Sequence, residues 1–156
     1  MAGFKILLTV SNEADIPKSE FNRLLKTEWT ETGEEWHKKF RRSHFAQTAY
    51  TKYGYTARSK RYQAFKQRHL GHTIPLVLSG TSRSLSEQKT VSATSKGVSV
   101  AMPVRVFNFK SKNSKVDKRK EFTTVIESEV TALESRYQAG LEKQIKTHRS
   151  SRTVGV

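Results

Sequence analysis

Two stretches of this chain repeat their apolar residues at helical intervals, and any fold it adopts must bury both stripes. In the first, Phe21, Leu24, Leu25, Trp29, Trp36 and Phe40 are mostly three, four or seven positions apart. That spacing places side chains on one face of an α-helix. Pro17 suits a first helical turn, as do Ser19 and Glu20, so the pattern predicts one helix over residues 17–42. Gly33 sits inside it at a cost of about 1 kcal/mol relative to alanine; it is expected to mark a kink or a break. In the second stretch, Val125 or Ile126, Val130, Leu133, Tyr137, Leu141 and Ile145 predict a helix over residues 125–148. A Thr124-x-x-Glu127 capping box would open it. Leu24, Leu25, Trp29, Leu133, Tyr137 and Leu141 are expected to be buried, within the domain or at a subunit contact.

Strand and turn signals fill the rest. "FKILLTV" (4–10) reads as a strand bounded by Ser11-Asn12. Phe45, Ala49 and Tyr53 recur at i, i+4, i+8 before Gly54 and predict a short helix. "ARSKRYQAFKQRHLG" predicts another, with Tyr62, Phe65 and His69 on one side and Gly71 at its end. "PLVLSG" reads as extended, since Pro75 excludes a helix interior, and Ser79-Gly80 as a turn. Residues 89–102 alternate like a hairpin, turning at Ser95-Lys96-Gly97. Val104, Val106 and Phe107 are expected to extend it, with Pro103 marking an edge or a bulge. "KSKNSKVDKRK" (110–120) reads as an exposed loop. The fold class is therefore α+β. A small antiparallel sheet, made of the N-terminal strand and the hairpin, packs with two long helices and two short basic ones. Residues 1–148 are expected to form a single domain and residues 149–156 a C-terminal arm, either solvated and disordered or ordered on a neighbouring subunit in an assembly.

Charge narrows the functions on offer. The net charge is +15, and residues 36–86 hold 11 Lys and Arg but no Asp or Glu. Such a field seeks polyanions or acidic protein surfaces. Only 35% of the 156 residues are hydrophobic, so burial against partners is expected to supplement a modest core. The absence of cysteine rules out disulfides and thiolate zinc sites. The short apolar run Ile6–Val10 falls below the length of a secretory or membrane segment, so the chain reads as soluble, with no membrane partner.

Catalytic and cofactor motifs do not emerge. The glycines form neither GxGxxG nor GxxxxGK, and HExxH is missing. His69 and His72 straddle a helix end without a nearby acid to complete a metal shell. Ser79 lacks the GxSxG context of a nucleophile elbow. A metal-free nuclease could draw on histidine, arginine, lysine and tyrosine between His37 and His72, with His44, His69 or His72 as proton carriers. Packing and partner binding account for the same residues without turnover. The expectation is a non-enzyme without cofactor or metal. Arg41, Arg42, Lys52, Arg58, Lys60, Arg61, Lys66 and Arg68 form a candidate surface for an acidic partner or nucleic acid. Tyr50, Tyr53, Tyr55 and Tyr62 could stack on bases, but the helical spacing of Phe45/Tyr53 and Tyr62/Phe65 favours core for several rings.

These pieces fall in a recognisable order. A long helix precedes "HFAQTAYTKYGYTARSKRYQAFKQRHLGHTIPLVLSGTSRSL"; a hairpin, a basic loop and "TTVIESEVTALESRYQAGLEKQI" follow. Over residues 17–148 the chain resembles the small neck and tail-completion (virion morphogenesis) proteins of tailed bacteriophages. A turn motif carries much of the likeness: Leu76, Val77 and Leu78, then Gly80, Arg83 and Leu85. The family commonly has Asp-Thr before the glycine, where this chain has Leu78-Ser79. The resemblance implies a structural virion protein of the neck or tail, assembled in the host cytoplasm. It would form a homo-oligomeric ring at the head–tail junction, of roughly six or twelve copies through closing heterologous contacts. The implied partners are copies of itself, portal, adaptor or tail-tube proteins, and the packaged DNA. A basic nucleic-acid-binding module is the competing reading of the same charge.

Overall fold

The computed structural model describes the backbone of residues 2–7, 16–108 and 114–153, and the side chains of residues 16–108 and 114–148. Expectations for residues 8–10, 110–113 and 154–156 lie outside them. The fold is α+β. Strand β1 (Ala2–Leu7) and the hairpin strands β2 (Thr90–Thr94) and β3 (Gly97–Met102) form an antiparallel sheet in the order β1-β3-β2. Ser95 and Lys96 make the hairpin turn, so Thr94 pairs with Gly97. On the other side of β3, Phe4 pairs with Val100. Val98, Val100 and Met102 alternate inward from β3, the central strand, and are fully buried.

Helix α1 (Lys18–Lys39) packs on that face. It runs unbroken through Gly33, contrary to the expected kink. A Cβ at Gly33 would lie 2.8 Å from Val98 Cγ2 and 3.1 Å from Val100 and Val91. The glycine is where the helix touches the sheet, and its missing side chain permits that approach. The long closing helix α6 (Glu127–Thr153) lies along α1. Trp29 and Tyr137 meet there with ring centroids 4.4 Å apart. Leu24, Leu25, Trp29, Leu133, Tyr137 and Leu141 are all buried, as the two stripes require. Gly140 leaves room for the buried carboxylate of Glu28, which accepts hydrogen bonds from Arg136 and Gln144 across the seam.

Several local expectations are corrected. The first long helix ends at Lys39, and Arg41–Phe45 form a 3-10 turn instead of its last residues. Phe45 therefore belongs to that turn, and the helix read through Tyr53 is only α2 (Ala49–Lys52), before Gly54 at φ +62°. "PLVLSG" is not a strand. It is a series of turns leading into α4 (Thr81–Leu85), because Leu76 takes φ +59° and Gly80 φ +83°. The sheet stops at Met102, where Pro103 has no N–H to continue the ladder; Val104 and Phe107 turn into the core and Val106 outward. Residues 118–120, read as loop, begin helix α5 (Lys118–Thr123), whose first turn is capped by the Asp117 side chain accepting from Lys120 N–H. Buried Phe122 anchors α5 against Phe45 and Phe107, with centroids 5.3 and 5.1 Å away. The capping box does not form. Thr124 closes α5, its hydroxyl donating to the Lys120 carbonyl. At the other end α6 continues to Thr153, five residues into the stretch expected as an arm.

Candidate functional site

The acid-free segment finds its carboxylates elsewhere in the chain, and this divides its cations into two groups. Arg58 forms a two-pronged pair with Glu121 of α5, at 2.8 and 2.6 Å. The Thr56 N–H adds a third bond to the same carboxylate. Both side chains are nearly sealed, at 9% and 7% exposure. Lys52 lies 3.0 Å from the buried Glu129 of α6. Arg41 is buried, donating to Ser86 Oγ at 2.7 Å, with Glu87 3.7 Å away. His37 Nε2 donates to the Ser86 carbonyl beside it. Lys66 is buried and donates to the Ile74 carbonyl. Arg41, Lys52, Arg58 and Lys66 thus fasten the middle of the chain together, with Arg41 and Lys66 buried and Lys52 and Arg58 keeping a partly exposed edge, so these four present less free charge to a partner than expected of them. Arg42, Lys60, Arg61 and Arg68 are exposed.

The aromatic residues divide in the same way. Phe45, Tyr53 and Tyr55 are buried. Their centre is His44, which stacks on Tyr53 at 3.9 Å and meets Tyr55 Oη at 2.5 Å through Nδ1. Tyr53 in turn donates to Glu129 at 2.5 Å. Burial and the charge of Lys52 push the His44 pKa down to about 3, against a raising backbone hydrogen bond at Glu121. Burial pushes both tyrosines above the ordinary phenol range. His44 is thus a neutral imidazole accepting from a phenol that stays protonated. A measurable consequence follows from its sign. The unfolded chain takes up a proton at this residue that the folded chain refuses, so stability falls as pH drops from about 6.5 toward 3. The expected slope is about 1.4 kcal/mol per pH unit within that window. Denaturant unfolding at several pH values is expected to show a shallower dependence for His44→Gln than for the native chain. Equal slopes would clear His44 of the effect.

Tyr62 and Phe65 depart from the core expectation. They stand on the outside of α3 (Lys60–Leu70) at 39% and 49% exposure, in one row with His69. Centroid spacings along that row are 6.5 and 4.6 Å. The row is one-sided, as the spacing implies, and it faces outward from the core.

The turn motif builds the most distinctive surface. Leu76, Val77 and Leu85 join Pro75, Pro103 and Phe107 in lining a groove of about 450 Å³. Leu78 and Val106 form its exposed lips, at 53% and 49% exposure. Leu76 reaches this position with a left-handed backbone that a bulky residue rarely adopts. Every charged side chain lining the groove is a base: Arg58, Lys66, Arg105 and Lys118. A second hollow adjoins it across Arg58, Tyr62 and Lys118, adding Lys115. Gly80 supplies the turn that starts α4, and exposed Arg83 contributes its carbonyl to Arg41 and Ser86. Sequence reasoning missed Arg105 and Lys118. They fall in segments read as strand and loop, and nothing local marks them as neighbours of the turn motif. Among the described residues, no three His, Asp or Glu side chains gather as a metal site, and no helix is long and apolar enough to cross a membrane.

No protein-family model matches the chain, and no curated protein or solved structure matches it either.

Proposed function

We propose that the chain is a structural virion protein of a tailed phage that assembles as a ring at the head–tail junction and docks to acidic neighbouring proteins. The observation that carries this reading is the groove. The segment on which the resemblance rests, Leu76 to Leu85, forms one wall of an open apolar trough whose charged residues are all basic. Apolar surface ringed by polar groups is characteristic of protein interaction sites. The exposed Tyr62–Phe65–His69 row extends this surface, since Tyr62 also lines the groove. On this reading the chain performs no chemistry, needs no cofactor, and meets portal, adaptor or tail-tube proteins.

Sedimentation and electron microscopy of the chain with its portal or tail neighbours test the proposal. Closed rings of roughly six or twelve copies are the expected result. A chain that stays monomeric beside those neighbours and in particles would refute it.

One observation favours the nucleic-acid reading. Lys60, Arg61 and Arg68 remain exposed on α3 beside the exposed Tyr62 and Phe65. Bases next to stacking rings suit a nucleic-acid strand. That reading requires affinity that falls steeply with salt, and loss of DNA or RNA binding in Arg61→Glu without unfolding.

A further inference from the structure

We infer that the groove between α4, the Arg105–Asn108 turn and α5 receives an extended segment of a partner protein in which apolar side chains alternate with carboxylates. The inference rests on the proposed role in a virion assembly, and it names the partner chemistry of that site. Three features select this occupant. The floor is apolar and furnished by side chains already fixed in the core, among them Phe107 and Leu76. A preformed trough of this kind takes in small apolar side chains without reorganising. The lips, Leu78 and Val106, are among the most exposed large apolar residues described, so an occupant would remove them from water.

The rim sets the charge. Arg58 is held by Glu121 and Lys66 by the Ile74 carbonyl. Arg105 and Lys118 are exposed and have no carboxylate partner among the described residues. They supply the unsatisfied positive charge, both on the wall that faces the turn motif, and carboxylates of an extended chain would meet it. A second copy of this chain is a poor source of those carboxylates. Seven of its twelve described acids, Glu28, Glu31, Glu34, Glu35, Glu87, Glu121 and Glu129, are already paired with bases of their own chain, and Glu127 and Glu134, which have no such pair, lie on helix α6 and not on an extended segment. Nucleic acid fits less well, because Phe107 is buried in the floor, Tyr62 is the one exposed ring in the lining, and the rest is proline, aliphatic and hydroxyl surface with only two unpaired bases, where a strand would need a row of stacking rings and a line of free bases.

The test uses the full chain and a fluorescein-labelled short peptide in which leucine alternates with glutamate, read by fluorescence anisotropy. Saturable binding is expected, with no binding of the matching leucine–lysine peptide. Arg105→Glu combined with Lys118→Glu is expected to weaken the acidic peptide at least about tenfold. Val106→Asp is expected to weaken it as well, by placing a carboxylate on the lip. All three positions are exposed, so the variants should keep the native melting temperature, and Leu78→Glu provides an independent lip variant. Lys26→Glu with Lys96→Glu makes the same charge change on exposed residues away from the groove and should leave affinity within about twofold. No saturable binding, or equal weakening by the Lys26/Lys96 pair, would overturn the inference. So would a DNA oligonucleotide that binds through Arg105 and Lys118 while the peptide does not. Sedimentation of the same samples separates the two claims. Rings that ignore the peptide end the groove inference and leave the assembly reading intact. Groove-dependent peptide binding by a chain that never assembles upholds the groove and ends the assembly reading.

Discussion

Trp29→Ala is expected to destabilise the chain by about 3–5 kcal/mol, the usual range for deleting a large buried aromatic side chain. Trp29 is 1% exposed and belongs to the core cluster that contains Leu25, Leu133 and Leu141. Its ring meets Tyr137 across the seam between α1 and α6. Truncation therefore removes apolar burial from both long helices and leaves a cavity between two elements that cannot simply collapse. For a domain of this size the melting temperature should fall by about 6–20 °C. Trp29→Phe should lose less. It keeps most of the ring and deletes an indole N–H that is buried without a hydrogen-bond partner. A loss below about 1 kcal/mol for Trp29→Ala, of the size typical of an average substitution, would mean that the seam is not the core of the fold.

That seam was legible in the sequence because helical periodicity is a local signal. Six residues chosen from spacing alone became six buried residues. The hairpin was legible for the same reason, since alternation and a turn lie within a dozen positions. What the sequence hid depends on distance along the chain. Gly33 looked like a weak point in a helix, because the three valines that require it sit on strands about 60 residues away. The first three residues of α5 passed for loop because Phe122 is the one apolar residue of the helix, and its contacts come from Phe45 and Phe107. Tyr62 and Phe65 show a limit of a different kind. A stripe at helical spacing looks the same whether it faces the protein's own core or the space beyond it.

The charged segment illustrates the point most clearly. Its lack of acids is plain in the sequence, and a one-sign surface was the natural reading. Glu121 lies 63 positions from Arg58 and Glu129 lies 76 positions from Tyr53. Only the fold brings them in. Once there, they turn Arg58 and Lys52 of the candidate partner surface into internal joints. The groove was legible in half of its wall, the turn motif, and invisible in the basic half contributed by Arg105 and Lys118.

Arg58→Ala is the second change expected to have a large effect. It would leave the Glu121 carboxylate buried, with the Thr56 N–H as its remaining described donor. Breaking a buried ion pair from one side typically destabilises by about 3–5 kcal/mol, because the abandoned charge remains out of water. Replacing both partners together, as in Arg58→Met with Glu121→Leu, should recover much of that loss. Arg61 is three positions away, carries the same charge, and is exposed. Urea unfolding of Arg58→Ala and Arg61→Ala, measured side by side, tests whether the basic stretch is half scaffold and half surface. The expected result is a loss of about 3–5 kcal/mol for Arg58→Ala and a change within about 0.5 kcal/mol for Arg61→Ala. Equal effects, or a larger loss at Arg61, would contradict that division and return Arg58 to the surface.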